Sequence, residues 1–277
     1  MKAKQTILLL WLVLFAPLLA QAQDTLQAPV LTYSHSLAIS SPTTVSQDRN
    51  GHVYVLDGRL NLLRLTPAGQ PLDVYSPPAR GRISSIHAWN QMKVLLFYEG
   101  NQELVLLDRF LRPISRSDLL DYNYSGTARL AAPAADDSFW LFDETSLTLS
   151  KLDPRLRQVT IETPLNLLLD QAKFDVRQLR EYQNQLYLLD YNTGILVFDN
   201  LGNYKTKLPY TKLNHIGFRN NELYFVKDGK LHLQDLYTSK ERVLVLPAQK
   251  QFVSAIVGEQ HLYLFTPKTV EVYLMQQ

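Results

Sequence analysis

One short pattern recurs six times along the chain, and it constrains the fold more than any other feature. Each copy is a polar turn followed by a strand rich in apolar residues with an aromatic near its start. The copies are His52-Val-Tyr-Val-Leu-Asp57, Lys93-Val-Leu-Leu-Phe-Tyr98, Ser138-Phe-Trp-Leu-Phe-Asp143, Gln185-Leu-Tyr-Leu-Leu-Asp190, Glu222-Leu-Tyr-Phe-Val-Lys227 and His261-Leu-Tyr-Leu-Phe-Thr266. Aligned on Tyr54, Leu95, Trp140, Tyr187, Tyr224 and Tyr263, they are spaced by 41, 45, 47, 37 and 39 residues. That period suits one four-stranded propeller blade, which occupies about 40–45 residues.

Each copy has neighbours in the same order. A short strand of small or mixed residues precedes it: 43–47, 83–88, 128–132, 176–180, 214–218 and 253–257. A third strand follows, and in five copies a fourth lies beyond a turn marked by signals such as Pro67-Ala-Gly69, Asp153-Pro154 or Asn200-Leu-Gly-Asn203. The sixth copy runs out after its third strand, while residues 28–37 form a spare strand ahead of the first copy. A ring removes both open edges if that spare strand completes the last blade. The expected fold is therefore all-β, a six-bladed propeller with blades near 42–76, 83–117, 127–163, 174–209, 213–247 and 252–277 plus 28–37. Thr163–Lys173 breaks the rhythm, and Leu165, Leu168 and Leu169 could form the apolar side of one or two helical turns or of a packed surface loop.

The first copy, from Gln47-Asp-Arg-Asn-Gly-His to Asp57, with Leu63-Arg-Leu-Thr-Pro-Ala-Gly-Gln70 after it, resembles a unit of the NHL-type six-bladed propellers. The fourth, with Tyr187, Asp190 and Phe198-Asp-Asn-Leu-Gly202, is similar. The resemblance covers residues 23–277 in period and two blades in motif. It implies the architecture and no single activity, because such folds host binding proteins, scaffolds and enzymes alike.

The N-terminus reads as an export signal. Lys2 and Lys4 precede an apolar run at 7–20, and Ala20-Gln21-Ala22 is a cleavage pattern that would leave a single domain, 23–277. The run is shorter than the roughly 20 residues a spanning helix needs, and no later segment is long and apolar enough to cross a membrane. The chain has no cysteine, so its stability must come from its core. Of 28 basic residues two lie in the leader, leaving 26 against 26 acidic ones. Without a basic footprint nucleic acid is not an expected partner. The expectation is an exported monomer of the bacterial periplasm or cell surface.

Catalytic signatures are sparse. There is no G-x-S-x-G elbow, glycine-rich phosphate loop or calcium loop, and no two of the six histidines stand three to five residues apart. Asp57, Asp143 and Asp190 recur at one phase and read as turn acceptors rather than a metal ring. Gluconolactonase-like six-bladed hydrolases hold a divalent metal with acids and Asn on inner strands. Here only Asp175 and Glu181 flank such a strand, so no catalytic residue, metal or cofactor is assigned. His87 and His215 fall on expected inner strands and are channel candidates. Arg80, Arg82, Tyr122, Tyr124, Arg177, Arg180, Tyr191, Tyr210 and Lys212 gather in links and turns that a propeller puts on one face, and Tyr and Arg are favoured interface anchors. The expected function is a non-catalytic binding or scaffold module for a protein or peptide partner in the cell envelope. The alternative is an exported hydrolase or lyase acting on a small molecule or sugar at the channel mouth.

Overall fold

The computed structural model describes residues 29–78, 81–88, 92–238 and 240–276. The expected leader, residues 1–22, and Arg80 lie outside the described residues. From Val30 to Gln276 the chain is one compact unit of six four-stranded antiparallel sheets. Blade 1 holds Ser46–Gln47, Val53–Leu56, Leu62–Leu65 and Pro71–Tyr75. Blade 2 holds Ser85–His87, Lys93–Tyr98, Glu103–Asp108 and Pro113–Asp118. Blade 3 holds Ala128–Pro133, Phe139–Asp143, Thr148–Asp153 and Gln158–Pro164. Blade 4 holds Val176–Tyr182, Gln185–Asp190, Gly194–Asp199 and Tyr204–Leu208. Blade 5 holds Gly217–Arg219, Glu222–Lys227, Lys230–Asp235 and Glu241–Val245. Blade 6 holds Ser254–Val257, His261–Phe265 and Thr269–Gln276, and its outermost strand is Val30–Ala38 from the other end of the chain.

That closing strand runs antiparallel to Thr269–Gln276, pairing Leu37 with Val270 and Thr32 with Leu274, with a register shift between Tyr33 and His35. It satisfies backbone groups that would otherwise edge the last blade.

The six repeated strands are buried on both faces because each blade packs between two others, which is why they read as near-continuous apolar runs rather than as alternation. Val53, Tyr54, Val55 and Leu56 are all buried, for example. Six apolar clusters fill the six seams. Tyr54 and Leu62 meet Ile86 and Leu96 between blades 1 and 2, and Val53 and Val55 meet Tyr263 and Val272 between blades 1 and 6.

Polar side chains also tie each seam near the axis. Ser46 Oγ accepts from Ala88 N–H at 3.0 Å, and His87 Nε2 donates to the Ala131 carbonyl at 2.8 Å. Trp140 Nε1 donates to Glu181 at 2.7 Å. The Gln178 amide donates to Ile216 O at 2.9 Å and accepts from Ile216 N–H at 2.9 Å. Tyr224 Oη accepts from Val257 N–H at 3.3 Å, and Ser254 Oγ donates to the Pro42 carbonyl.

Two expectations shift in detail. Residues 163–173 form no helix; Leu165 accepts from the N–H groups of Leu168 and Leu169, a single turn that buries Leu165 and Leu169. The inner strands of blades 1, 2 and 5 are shorter than 43–47, 83–88 and 214–218 suggest. In blade 1 the reason is local: Ser41 Oγ accepts from Thr44 N–H at 3.1 Å, so a side chain takes a donor that a ladder would use.

Candidate functional site: the mouth of the channel

Two cavities lie along the axis, and their walls draw on all six blades. The wider one, about 480 Å³ with its open mouth, is lined by residues that include Thr43, Ser84, Ser85, His87, Arg177 and Arg180. The narrower one is lined by Ser46, Gln47, His215, Phe218, Tyr224 and Ile256 among others. Val45 and Arg180 belong to both walls, so the Arg180 side chain stands between the cavities.

A bulge explains how two arginines from one strand reach one cavity. Successive strand residues point to opposite faces, so positions 177 and 180 would diverge in a regular ladder. The pairing steps from Val176–Asp190 to Gln178–Leu189, which leaves Arg177 without a ladder partner. Such an extra residue re-aims its side chain. Blade 3 has the same irregularity around Arg129, which ion-pairs with Glu144 at 3.1 Å.

At the rim, the Arg177 guanidinium lies 3.6 Å from the Tyr191 ring centroid, and the Lys212 ammonium lies 4.7 Å from it. Both cations are held in place. Arg177 donates to Asp175 Oδ2 at 2.7 Å and 3.1 Å and to Asn214 Oδ1. Lys212 Nζ donates to Asn192 Oδ1 at 2.6 Å. Asp190 anchors this corner: it accepts from Asn192 N–H at 2.9 Å, from Thr193 N–H and from Asp175 N–H at 2.6 Å. Asp57 and Asp143 accept from turn N–H groups in the same way, Asp57 from Arg59 and Asn61 at 2.8 Å, Asp143 from Thr145 at 2.8 Å. The repeated acids are therefore turn acceptors, as their equal phase suggests.

The two imidazoles sit in the walls of different cavities. Burial chiefly, and the positive charge of Arg180 next, push His87 and His215 down to about 3, so both are neutral near pH 7. The hydrogen bond to Ala131 acts in the opposite sense on His87. Burial also lowers Arg180, though a guanidinium stays charged. Its carbon lies 5.8 Å from the Phe218 ring, which stacks at 4.7 Å on Tyr182.

The structure thus brings Arg177, Tyr191 and Lys212 together, while Arg180 shares a cavity wall with Arg177, and His87 and His215 stand in the walls of the two cavities. The rest of the expected face is dispersed. Arg82 is exposed ahead of blade 2. Tyr122 is half-buried and Tyr124 buried in the seam between blades 2 and 3, where the Tyr124 hydroxyl donates to Asp143 at 3.3 Å. Tyr210 packs its ring 4.7 Å from Phe225 in the next seam but one. The residues that sequence reasoning missed are Asn192 and Asn214, which with the flanking acid Asp175 hold the rim cations, and Thr43, Ser84 and Ser85, which line the mouth. Their signal is positional: most stand just before an inner strand. Among the described residues no three His, Asp or Glu side chains gather as a metal site, and no described helix is long and apolar enough to cross a membrane.

Six four-stranded blades around a channel, closed by the N-terminal strand, define the chain as a six-bladed β-propeller. No protein-family model and no curated protein matches its sequence. Solved structures do match its fold. A streptogramin B lyase superposes with a TM-score of 0.60 at 9% identity, over 90% of this chain and 98% of that one. A catalytically inactive virginiamycin B lyase from Staphylococcus aureus, with quinupristin, gives 0.54 at 10% identity over 86% and 80%. YCF48 bound to D1 peptide gives 0.55 at 12% identity over 90% and 100%. At such identities the likeness is one of fold.

Proposed function

We propose that this chain is an exported binding module of the bacterial cell envelope that holds a peptide or protein segment across the mouth of its channel. One observation carries the reading: the Tyr191 ring in contact with both the Arg177 and Lys212 cations, each cation tethered by hydrogen bonding of its own. A rim ordered before binding loses little side-chain entropy when a partner arrives, and Tyr and Arg are the residues that most often anchor such contacts. A fold-mate carries a peptide, YCF48 with D1 peptide, which is a precedent for this use of the architecture. On this reading residues 1–22 are removed on export, Gln23 starts a single-domain monomer, and the other arginines and tyrosines of the expected face, Arg80, Arg82, Tyr122, Tyr124 and Tyr210, serve as outlying contacts or as support.

Selection of random dodecapeptides on the exported chain purified from periplasm tests the reading. The expected result is a set of peptides that bind in the micromolar range or tighter and lose on the order of tenfold with Tyr191→Ala, while the melting temperature holds. Failure to select any peptide, or peptides indifferent to Tyr191→Ala, overturns it. N-terminal sequencing of the same material is expected to begin at Gln23.

A further inference from the structure

Hairpin turns between the second and third strands of each blade lie at the mouth end of the ring, with Tyr191. Turns between the third and fourth strands lie at the opposite end, because neighbouring strands run antiparallel. In four consecutive blades, 2 to 5, the latter turn carries a large apolar or aromatic tip: Phe110, Leu156, Leu201 and Tyr237, each between 45% and 68% exposed. At the mouth end, among the described residues, Leu60 alone among such turns is a tip of this kind. All four tips hang on the same device, in which the turn's Asp accepts from the tip's own N–H. Asp108 accepts from Phe110 at 2.8 Å, Asp153 from Leu156 at 3.2 Å, Asp199 from Leu201 at 2.9 Å and Asp235 from Tyr237 at 2.9 Å. Blade 1 has Pro67-Ala-Gly69 at this place, and blade 6 takes its fourth strand from the other end of the chain, so the tips form an arc over four blades. Two of those blades add cations. The guanidinium carbons of Arg109 and Arg112 lie 4.7 Å and 5.1 Å from the Phe110 ring centroid. Arg155 and Arg157 flank Leu156, and all four arginines are exposed. They outnumber the acids of the same turns, Asp108 and Asp153, together with the exposed Asp137 on the adjoining turn of blade 3. The exposed leucines of the blade-to-blade links lack this company: Leu120 has Asp121 beside it, and Leu167 stands between Asn166 and Leu168.

We propose that the face of the propeller opposite the channel mouth docks on an anionic lipid bilayer, with Phe110 and Leu156 inserted and their flanking arginines on lipid phosphates. Leu201 and Tyr237 extend the contact along the arc. Separate apolar tips at one end of a ring, with guanidiniums between them, match a surface that is apolar beneath a layer of phosphates. The apolar side chains leave water while the guanidiniums pair with phosphate oxygens, and the two effects add. A second copy or another globular partner would meet one or two tips unless its surface followed the ring, whereas a bilayer meets them all. Docked in this way, the mouth faces away from the lipid. The inference goes beyond the peptide-binding reading and uses no residue of the mouth.

Flotation of the purified chain with vesicles of phosphatidylglycerol and phosphatidylcholine, against vesicles of phosphatidylcholine alone, tests the proposal. The expected result is binding to the anionic vesicles, weaker binding to the neutral ones, and release as salt rises. Phe110→Ser with Leu156→Ser is expected to lower vesicle affinity on the order of tenfold or more. Arg109→Gln with Arg155→Gln is expected to lower it by a similar factor on the anionic vesicles alone. All four positions are exposed on turns, and a melting curve for each variant checks that the fold holds. Leu167→Ser, in an exposed link at the mouth end, is expected to leave affinity unchanged. Variants are compared in one N-terminal form, so an apolar leader cannot account for a difference between them. Absence of binding to either vesicle overturns the inference, and so does binding that the tip variants leave untouched. A dimer that the tip substitutions dissolve, in a chain that ignores vesicles, assigns the arc to a second copy and overturns it too. Each of these outcomes leaves the dodecapeptide selection to stand or fall by itself.

Discussion

A methyl group at position 217 would fall 2.2 Å from Cζ of Tyr224, so the inner strand of blade 5 has room there only for hydrogen. The Tyr224 ring occupies that space because it belongs to the repeated aromatic position, and its hydroxyl accepts from Val257 across the seam. Gly217→Ala is expected to cost about 1–3 kcal/mol by overpacking, read as a lower denaturant midpoint with an unchanged slope. The two channel histidines make a second prediction at this scale. Their native affinity for protons is depressed to about 3 from 6.5. The unfolded chain then binds more protons below pH 6.5, and stability falls as the pH drops toward 3. Each histidine contributes a slope approaching about 1.4 kcal/mol per pH unit. Turn acids such as Asp57 and Asp199 have lowered affinities of their own and lose stability at more acid pH. The window from pH 6.5 to 4.5 isolates the imidazoles, and there His87→Gln with His215→Gln is expected to flatten the dependence measured by urea denaturation.

At the scale of the element, the Asp that ends the second strand serves several donors at once. Asp190 accepts from the backbone of its own turn and from Asp175, which in turn holds Arg177. Asp190→Ala is expected to cost about 1–3 kcal/mol in stability, since it leaves enclosed N–H groups unpaired, and to weaken the dodecapeptides as well, because the rim loses its brace. Asp57→Ala, at the same phase in blade 1, is expected to lower stability while leaving peptide affinity intact. Parallel melting and binding measurements separate the two effects. The bulge at Arg177 is also an element-scale device. Nothing in Val176-Arg-Gln-Leu-Arg180 marks it, because a register shift is decided by the partner strand Gln185–Asp190 and by what the two must pack against.

At the scale of the whole molecule, closure depends on two segments more than two hundred residues apart in sequence, and Ser254 bonding to Pro42 spans 212 positions. The closing strand adds pairing along Val30–Ala38 but little core, since Val30 and Tyr33 are exposed at 63% and 54%. Its contribution is to cover an edge. A chain lacking residues 23–38 is therefore expected to keep most of its β signal in circular dichroism but to unfold at lower temperature. It is also expected to associate through the bared strand Thr269–Gln276, seen as a larger species by size-exclusion chromatography. An unchanged melting temperature and a monomer would count against closure as a source of stability.

Much of this was legible in the residues. The spacing of Tyr54 through Tyr263 established six blades, and the turn acids and Gly signals placed most strand boundaries, because these are local matters of side-chain period and backbone preference. The spare strand before the first copy was matched to the last by counting alone. The candidate site was legible only in part. Arg177, Arg180, Tyr191 and Lys212 could be assigned to one face, yet Tyr124 and Tyr210 carry the same composition and pack into seams. Whether a ring or a guanidinium points to the axis, to a seam or to solvent depends on the angle between neighbouring blades and on one extra residue in a ladder. Both are settled by the packing of all six sheets together, which is why the period belonged to the sequence by itself and the make-up of the channel mouth to the tertiary structure.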